Sequence, residues 1–287
     1  MKIFWYACFI FIGIVLGYLT FFGSGITFAT MGVYRYVFAA LLAFFCEYMD
    51  SAIGMGYGTT LTPILIILGF QPLEIVPIIL ATEMVTGVGS GLLHHKEGNV
   101  NFDLSKKPIR VVGLLSLCSV LGVVLSVIGA VSLPKDVVNL YIAVMLLVVG
   151  LFLIFGKKIL GAFSWFKLIV LGSVAAFNKG ISGGGYGPLL TGGQILTGVE
   201  EKESISITSA TEGVVCFVGL LSYIILSGFV FNWSLSLALM IGACMSVPFA
   251  VKTVKYLPPD VLKHTIGYST LYLGILALSK IVIKFYA

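Results

Sequence analysis

Charge is what this 287-residue chain has least of: Asp, Glu, Lys and Arg make up only 10% of it, as 12 acidic and 17 basic residues. Soluble domains carry about a quarter charged residues, so the polar surface here is too small to face water on every side. Nucleic-acid binders and disordered tails are excluded by the same scarcity, because the few charges sit in short clusters between apolar runs. Cysteine is nearly as rare. Cys8, Cys46, Cys118, Cys216 and Cys244 all fall in apolar stretches with no C-x-x-C pair, which excludes a disulfide scaffold, a zinc site and a redox motif. A Walker A sequence is missing too, so nothing points to ATP-driven work. No cofactor and no metal are expected.

What the chain has in abundance is hydrophobicity: 59% of its residues, with a mean hydropathy of +1.10. An all-α integral membrane protein follows. About 20 helical residues cross a bilayer core of about 30 Å, and seven runs meet that length: Ile3 to Phe22, Leu73 to His95, Val111 to Ser132, Val137 to Phe155, Ile205 to Ser227, Trp233 to Val251 and Val261 to Ile283. The first is longer than the apolar region of a signal peptide and no small-x-small cleavage site follows it, so it is read as a span. The absence of any sizeable soluble segment argues against a fused regulatory domain. Two regions do not fit a simple span. From Tyr34 to Gly69 and from Lys167 to Gly198, an apolar run stops at a glycine cluster and then resumes for about 11 residues, which at 1.5 Å each is about half a membrane. Each reads as a broken helix pair.

The interruptions are Gly54-Met55-Gly56-Tyr57-Gly58 and Gly183-Gly184-Gly185-Tyr186-Gly187. A shift of 129 positions superimposes them and matches 14 of the 32 positions from Gly54 to Val85, including Glu74 with Glu203 and Ala81-Thr82-Glu83 with Ala210-Thr211-Glu212. The chain is therefore an internal duplication: one transmembrane domain over residues 1–287, with a first copy at about 1–132, a second at about 133–258 and an added C-terminal helix at about 259–287. Three full spans separate the broken pairs, so the copies are expected to have inverted topology. With the N-terminus inside, 12 basic residues from Lys2 to Lys263 are cytoplasmic, while Arg35, Lys135, Lys280 and Lys284 are outside. The positive-inside rule selects that orientation, in a prokaryotic inner membrane.

Non-helical backbone at membrane depth is tolerated only where protein buries it or where it lines a watery cavity. With each short helix starting after Gly-Tyr-Gly, its free N–H groups and positive dipole end point into the loop, and two opposed ends make an anion site. Gly56, Tyr57, Gly58 and Thr59 face Gly185, Tyr186, Gly187 and Pro188 in this reading, with Thr60, Thr82 and Thr211 close by. Pro188 takes the first helical position, where its missing N–H costs nothing, and the glycines let backbone approach the ligand. The competing reading makes the glycines packing residues between helices.

Intramembrane ionisable residues are expensive and usually functional. Glu83 and Glu212 are duplicates; either they are neutral acids bonded to freed backbone, or they carry a coupling proton. Asp50 and Lys179 occupy equivalent positions with opposite charges, which suggests a mutual pair, structural in one reading and with Lys179 contacting an anion in the other. His94 and His95, at a span end, are expected to be solvated, the alternative being proton access. Gly180-Ile181-Ser182-Gly183 also spells G-x-S-G, but a serine hydrolase needs a base near Ser182, and His94, His95 and His264 all lie near span ends. A passive anion channel built on opposed helix ends is a further alternative.

The run GISGGGYGPLL (Gly180 to Leu190) followed by an Ala-Thr motif, with a degenerate first copy GMGYGTTLTP (Gly54 to Pro63), resembles the sulfite exporter TauE/SafE family of membrane permeases. The resemblance covers both copies. It implies export of small sulfur-containing anions such as sulfite or sulfoacetate, with the lipid bilayer, the anion and a coupling proton or other ion as partners, no nucleic acid, and a homo-oligomer left open. Two departures stand out: Glu83 and Glu212 follow Ala-Thr where serine is common in the family pattern, and Met55 and Thr59 replace the glycine and proline of the second loop. The expected activity is secondary transport by alternating access, not catalysis.

Overall fold

The computed structural model describes residues 34–155, 164–196, 199–228 and 232–254, with residues 268, 271–275, 277–279 and 281–282 near the C-terminus. The expected first span, His264 and most of the expected last span lie outside the described residues. Among the described residues there is no strand, and the long elements are nine helices: α1 (Tyr34–Ile53), α2 (Tyr57–Ile67), α3 (Pro72–Lys96), α4 (Lys107–Ser132), α5 (Lys135–Phe155), α6 (Trp165–Ser182), α7 (Tyr186–Leu196), α8 (Glu201–Ser227) and α9 (Trp233–Thr253). Five of them, α1, α3, α4, α8 and α9, are long and apolar enough to cross a bilayer. Leu117, Leu121 and Leu125 of α4 are 72%, 72% and 61% exposed, a face that water would not tolerate and lipid does. The protein is an all-helical integral membrane protein.

Polar residues mark the starts of several helices, and α8 begins a turn before its apolar stretch. Pro72 sits in the first turn of α3, where Gln71 and Glu74 form a capping box, the Gln71 amide donating to Glu74 Oε2 at 3.0 Å. Glu201 and Glu203 occupy the first turn of α8, at the positive end of its dipole. Asn232 Oδ1 accepts from the Leu235 amide at 3.2 Å and starts α9. Hydropathy alone passes over such polar first turns.

The 129-residue shift reappears in the helix limits. α1 and α6 end at Ile53 and Ser182, α2 and α7 run from Tyr57 and Tyr186 to Ile67 and Leu196, and α3 and α8 begin at Pro72 and Glu201. Packing is crossed between the copies. α1 lies against α9, α6 lies against α4, and α3 meets α8, the last contact running through Gly87 and Gly213 with no room for a side chain on either. So the helix that precedes each break is braced by the last helix of the other copy.

The breaks lie where expected, but the short helices start two residues earlier than Gly-Tyr-Gly implied. Tyr57 and Tyr186 are their first residues, and each helix has 11. Gly56 (φ 143°) and Gly185 (φ 78°) immediately precede them in a conformation that side-chain-bearing residues rarely adopt. Pro188 is therefore the third helical residue and not the first. It is still tolerated, since the first four amides of a helix have no carbonyl to bond.

Candidate functional site

The two breaks are packed against each other. A Cβ on Gly58 would run into the Gly183 carbonyl and lie 2.9 Å from Gly184 Cα; one on Gly184 would lie 2.7 Å from the Thr59 amide; and one on Gly187 would lie 2.8 Å from Met55 Cα. At Gly58 and Gly187, the second residues of α2 and α7, the backbone of the other break stands where a side chain would be. Thr191 Oγ1 of α7 donates to the Gly54 carbonyl at 3.0 Å, tying the short helix of one copy to the break of the other.

The helix ends differ. The amide of Tyr57, the first of α2, donates to Asp50 Oδ1 at 3.3 Å, so a carboxylate of the chain itself sits at this positive end. The residue at the equivalent sequence position before α7 is Lys179 and not an acid, so the two helix starts are not alike.

Lys179 does not pair with Asp50. Its ammonium meets Glu83 of α3 and Glu212 of α8, the latter at 2.6 Å. Lys179, Glu83 and Glu212 are 1%, 1% and 3% exposed. Asp50 belongs to the same group: one oxygen from each of Asp50, Glu83 and Glu212 lies within 4.8 Å of the others. A divalent cation accepts such an oxygen set, but here the Lys179 ammonium already lies between two of the three carboxylates. Two pairs of duplicated positions, 50 with 179 and 83 with 212, belong to this one group.

The remaining expected residues surround this group with mixed roles. Thr82 and Thr211 donate back into their own helices, to the Ile78 and Ile207 carbonyls at 3.0 and 2.7 Å. Tyr57 and Tyr186 are fully buried, and the Tyr186 hydroxyl lies 3.5 Å from Ser119 Oγ. Thr59 is buried and its hydroxyl has no protein partner, while Thr60 continues the helix by bonding back to the Gly56 carbonyl at 3.0 Å. Gly185 abuts Asn178 and Met145. Ser182 Oγ donates toward the Asn178 and Gly184 carbonyls at 2.7 and 3.2 Å and accepts from the Gly184 amide at 3.1 Å. These backbone partners include no base.

His94 is not solvated, as its place at a helix end suggested, but fully buried. Its Nε2 lies 3.0 Å from the Ser51 carbonyl and its Nδ1 lies 3.0 Å from Asn99 Nδ2, which also donates to the Val251 carbonyl at 3.3 Å. A carbonyl only accepts, so Asn99 presents its NH2 to both, His94 Nδ1 accepts, and Nε2 carries the proton. His95 is exposed. The buried acid that the sequence reading passed over is Glu47, 1% exposed, accepting from Ser51 Oγ at 2.7 Å and Thr86 Oγ1 at 3.2 Å. It lies inside an apolar run and so meets the rule for intramembrane ionisable residues, but its counterpart in the second copy is Ala176 and the repeat does not flag it.

Residues 38–277 match the family described as Sulfite exporter TauE/SafE. The chain belongs to that family. It is also 26% identical over 241 residues, 79% of this chain and 77% of the other, to "Probable membrane transporter protein YtnM" of Bacillus subtilis (strain 168). No solved structure matches. Membership of the TauE/SafE family makes the protein a membrane transporter, and it places the buried lysine and its glutamates in a chain whose family is described by sulfite export.

Proposed function

We propose that this TauE/SafE protein is a secondary transporter that exports small sulfur-containing anions, sulfite or organosulfonates such as sulfoacetate, across a prokaryotic inner membrane. The two copies act as inverted repeats that alternate access to a site between the crossed breaks, with an added C-terminal helix beside them. The observation that carries this reading is the convergence of one buried lysine with the duplicated glutamates at the break of a sulfite exporter family member.

The charge count sets the mechanism. With every group ionised, Lys179 against Asp50, Glu83 and Glu212 leaves a surplus of two negative charges, which a membrane interior does not hold without protons or a cation. An anion competes with Glu83 and Glu212 for the same ammonium. Protons on the glutamates free Lys179 for the anion, and their departure returns Lys179 to the glutamates and expels it, so the pair Glu83 and Glu212 couples proton and anion. An interior-negative potential drives each uncompensated negative charge outward by about 2.3 kcal/mol per 100 mV; a proton carried with the anion cancels one such charge, so outward flux by the proton-coupled route follows the anion's own gradient. The close packing of each short helix's start against the other break supports a gated carrier over an open channel.

The test is thermal unfolding of the purified protein titrated with sulfite, sulfate, thiosulfate, sulfoacetate, taurine and acetate. A ligand at 100 times its Kd stabilises by about 2.7 kcal/mol. Sulfite or a sulfonate is expected to raise the melting temperature in wild type and not in Lys179→Ala. Stabilisation by none of the anions, or equal stabilisation of the variant, would overturn the site.

A further inference from the structure

Among the described residues, buried polar side chains run from the central group along α3 to its His94 end. Thr86, Ser90 and His94 follow one another at four-residue intervals along α3 and so share one face of that helix, and all three are buried. Glu47 and Ser51 stand opposite on α1, joined to this face through Thr86 Oγ1 and through His94 at the Ser51 carbonyl. Glu47 lies one turn from Asp50, and Thr86 lies one turn from Glu83. From Glu83 to His94 the row is about 16 Å long at 1.5 Å per residue, about half of a bilayer core.

The second copy has no such row at the equivalent positions; its buried Thr208 and Ser204 lie instead on the N-terminal side of Glu212, where Thr208 accepts from Thr191 and Gln194. The counterparts of Glu47, Ser51, Thr86 and Ser90 are Ala176, Gly180, Val215 and Gly219. One link persists: Tyr223, the counterpart of His94, donates from its hydroxyl to the Gly180 carbonyl at 2.8 Å, as His94 does to the carbonyl of Ser51. The helix-end clasp is therefore a structural feature of both copies, and the acid and hydroxyls between clasp and centre are particular to the first. Ser90 gives an independent sign of a mobile occupant: its hydroxyl is 1% exposed and has no protein partner, and a buried hydroxyl in that state takes water as its partner.

We propose that Glu47, with Thr86 and Ser90, forms a one-sided proton path between the central glutamates and the His94 end of the bundle, which the basic residues Lys96, Lys106, Lys107 and Arg110 mark as cytoplasmic. This rests on the proton coupling proposed above and adds a residue and a side to it. The titratable groups whose charge reaches Glu47 are Asp50 on its own helix, Glu212 from α8, Tyr57 from α2 and Cys244 from α9, while Glu83 and His94 of α3 lie at the two ends of the row. None of these is a lysine or arginine, so a proton is what Glu47 is built to hold.

The test uses the full chain in proteoliposomes with two readouts. In the first, 35S-sulfite uptake driven by a pH gradient is compared with sulfite counterflow at equal pH. Glu47→Gln is expected to lower gradient-driven uptake at least tenfold while counterflow stays within twofold of wild type, with Glu47→Asp recovering most of the loss. A packing role would lower both together. In the second, a pH jump applied without any anion gives a transient charge movement in wild type that Glu47→Gln abolishes and Ser90→Ala slows. Ser90→Ala removes no protein hydrogen bond, so it keeps the test open if Glu47→Gln fails to fold. Charge movement unchanged in both variants overturns the path. Charge movement intact in wild type, with sulfite flux indifferent to the pH gradient, overturns proton coupling and leaves the path standing.

Discussion

Exchanging Asp50 and Lys179 tests whether the meeting of the duplicated residues follows from the repeat. Lys179→Asp alone removes both ion pairs to Glu83 and Glu212 and adds a fourth carboxylate to a group already rich in them. Breaking a buried pair by removing one partner costs about 3–5 kcal/mol, which at about 2–4 °C per kcal/mol for a chain of this size is a fall of about 6–20 °C in melting temperature. In Asp50→Lys/Lys179→Asp the composition of the group is restored. A lysine entering from α1 again finds Glu83 and Glu212, one from each copy, and an aspartate at 179 takes up the amide of Tyr186, as Asp50 now takes that of Tyr57 at 3.3 Å. The double variant is expected to regain most of the lost stability, read by fluorescence-detected size-exclusion chromatography after heating. A double variant as unstable as Lys179→Asp would refute the reasoning, because it would mean that positions 50 and 179 do not reach the glutamates in equivalent ways.

Two further outcomes follow from the packing. Gly58→Ala and Gly184→Ala each drive a methyl into the backbone of the opposite break and are expected to abolish folded protein, whereas Gly89→Ala and Gly113→Ala meet nothing within 4 Å and are expected to be neutral or stabilising by up to about 1 kcal/mol from helix propensity. Expression level and melting temperature decide between these. Ser182→Ala is expected to retain sulfite flux at a stability cost of about 1 kcal/mol for its lost backbone hydrogen bonds, and wild-type Ser182 is expected to remain unlabelled by a fluorophosphonate; labelling would reopen a hydrolase reading.

The sequence alone determined the membrane class, the broken helices and their common shift of 129 positions, because hydrophobic length, glycine clusters and repetition are local properties of the chain. It also singled out Glu83, Glu212, Asp50 and Lys179, since an ionisable residue in an apolar run needs no structure to be noticed. Which of them touch was a matter of tertiary structure. Equivalent positions with opposite charge suggested that Asp50 holds Lys179, but the crossed packing of α1 on α9 and of α6 on α4 leaves Asp50 at the start of α2 and Lys179 between the two glutamates. Gly58 and Gly187 add a second case: the sequence shows a glycine beside each helix start, and only the fold shows the other break's backbone packed against it. Glu47 was passed over and His94 read as solvated because the repeat highlights what the copies share, while the row from Glu47 to His94 is a difference between them, visible only once α1 and α3 lie side by side.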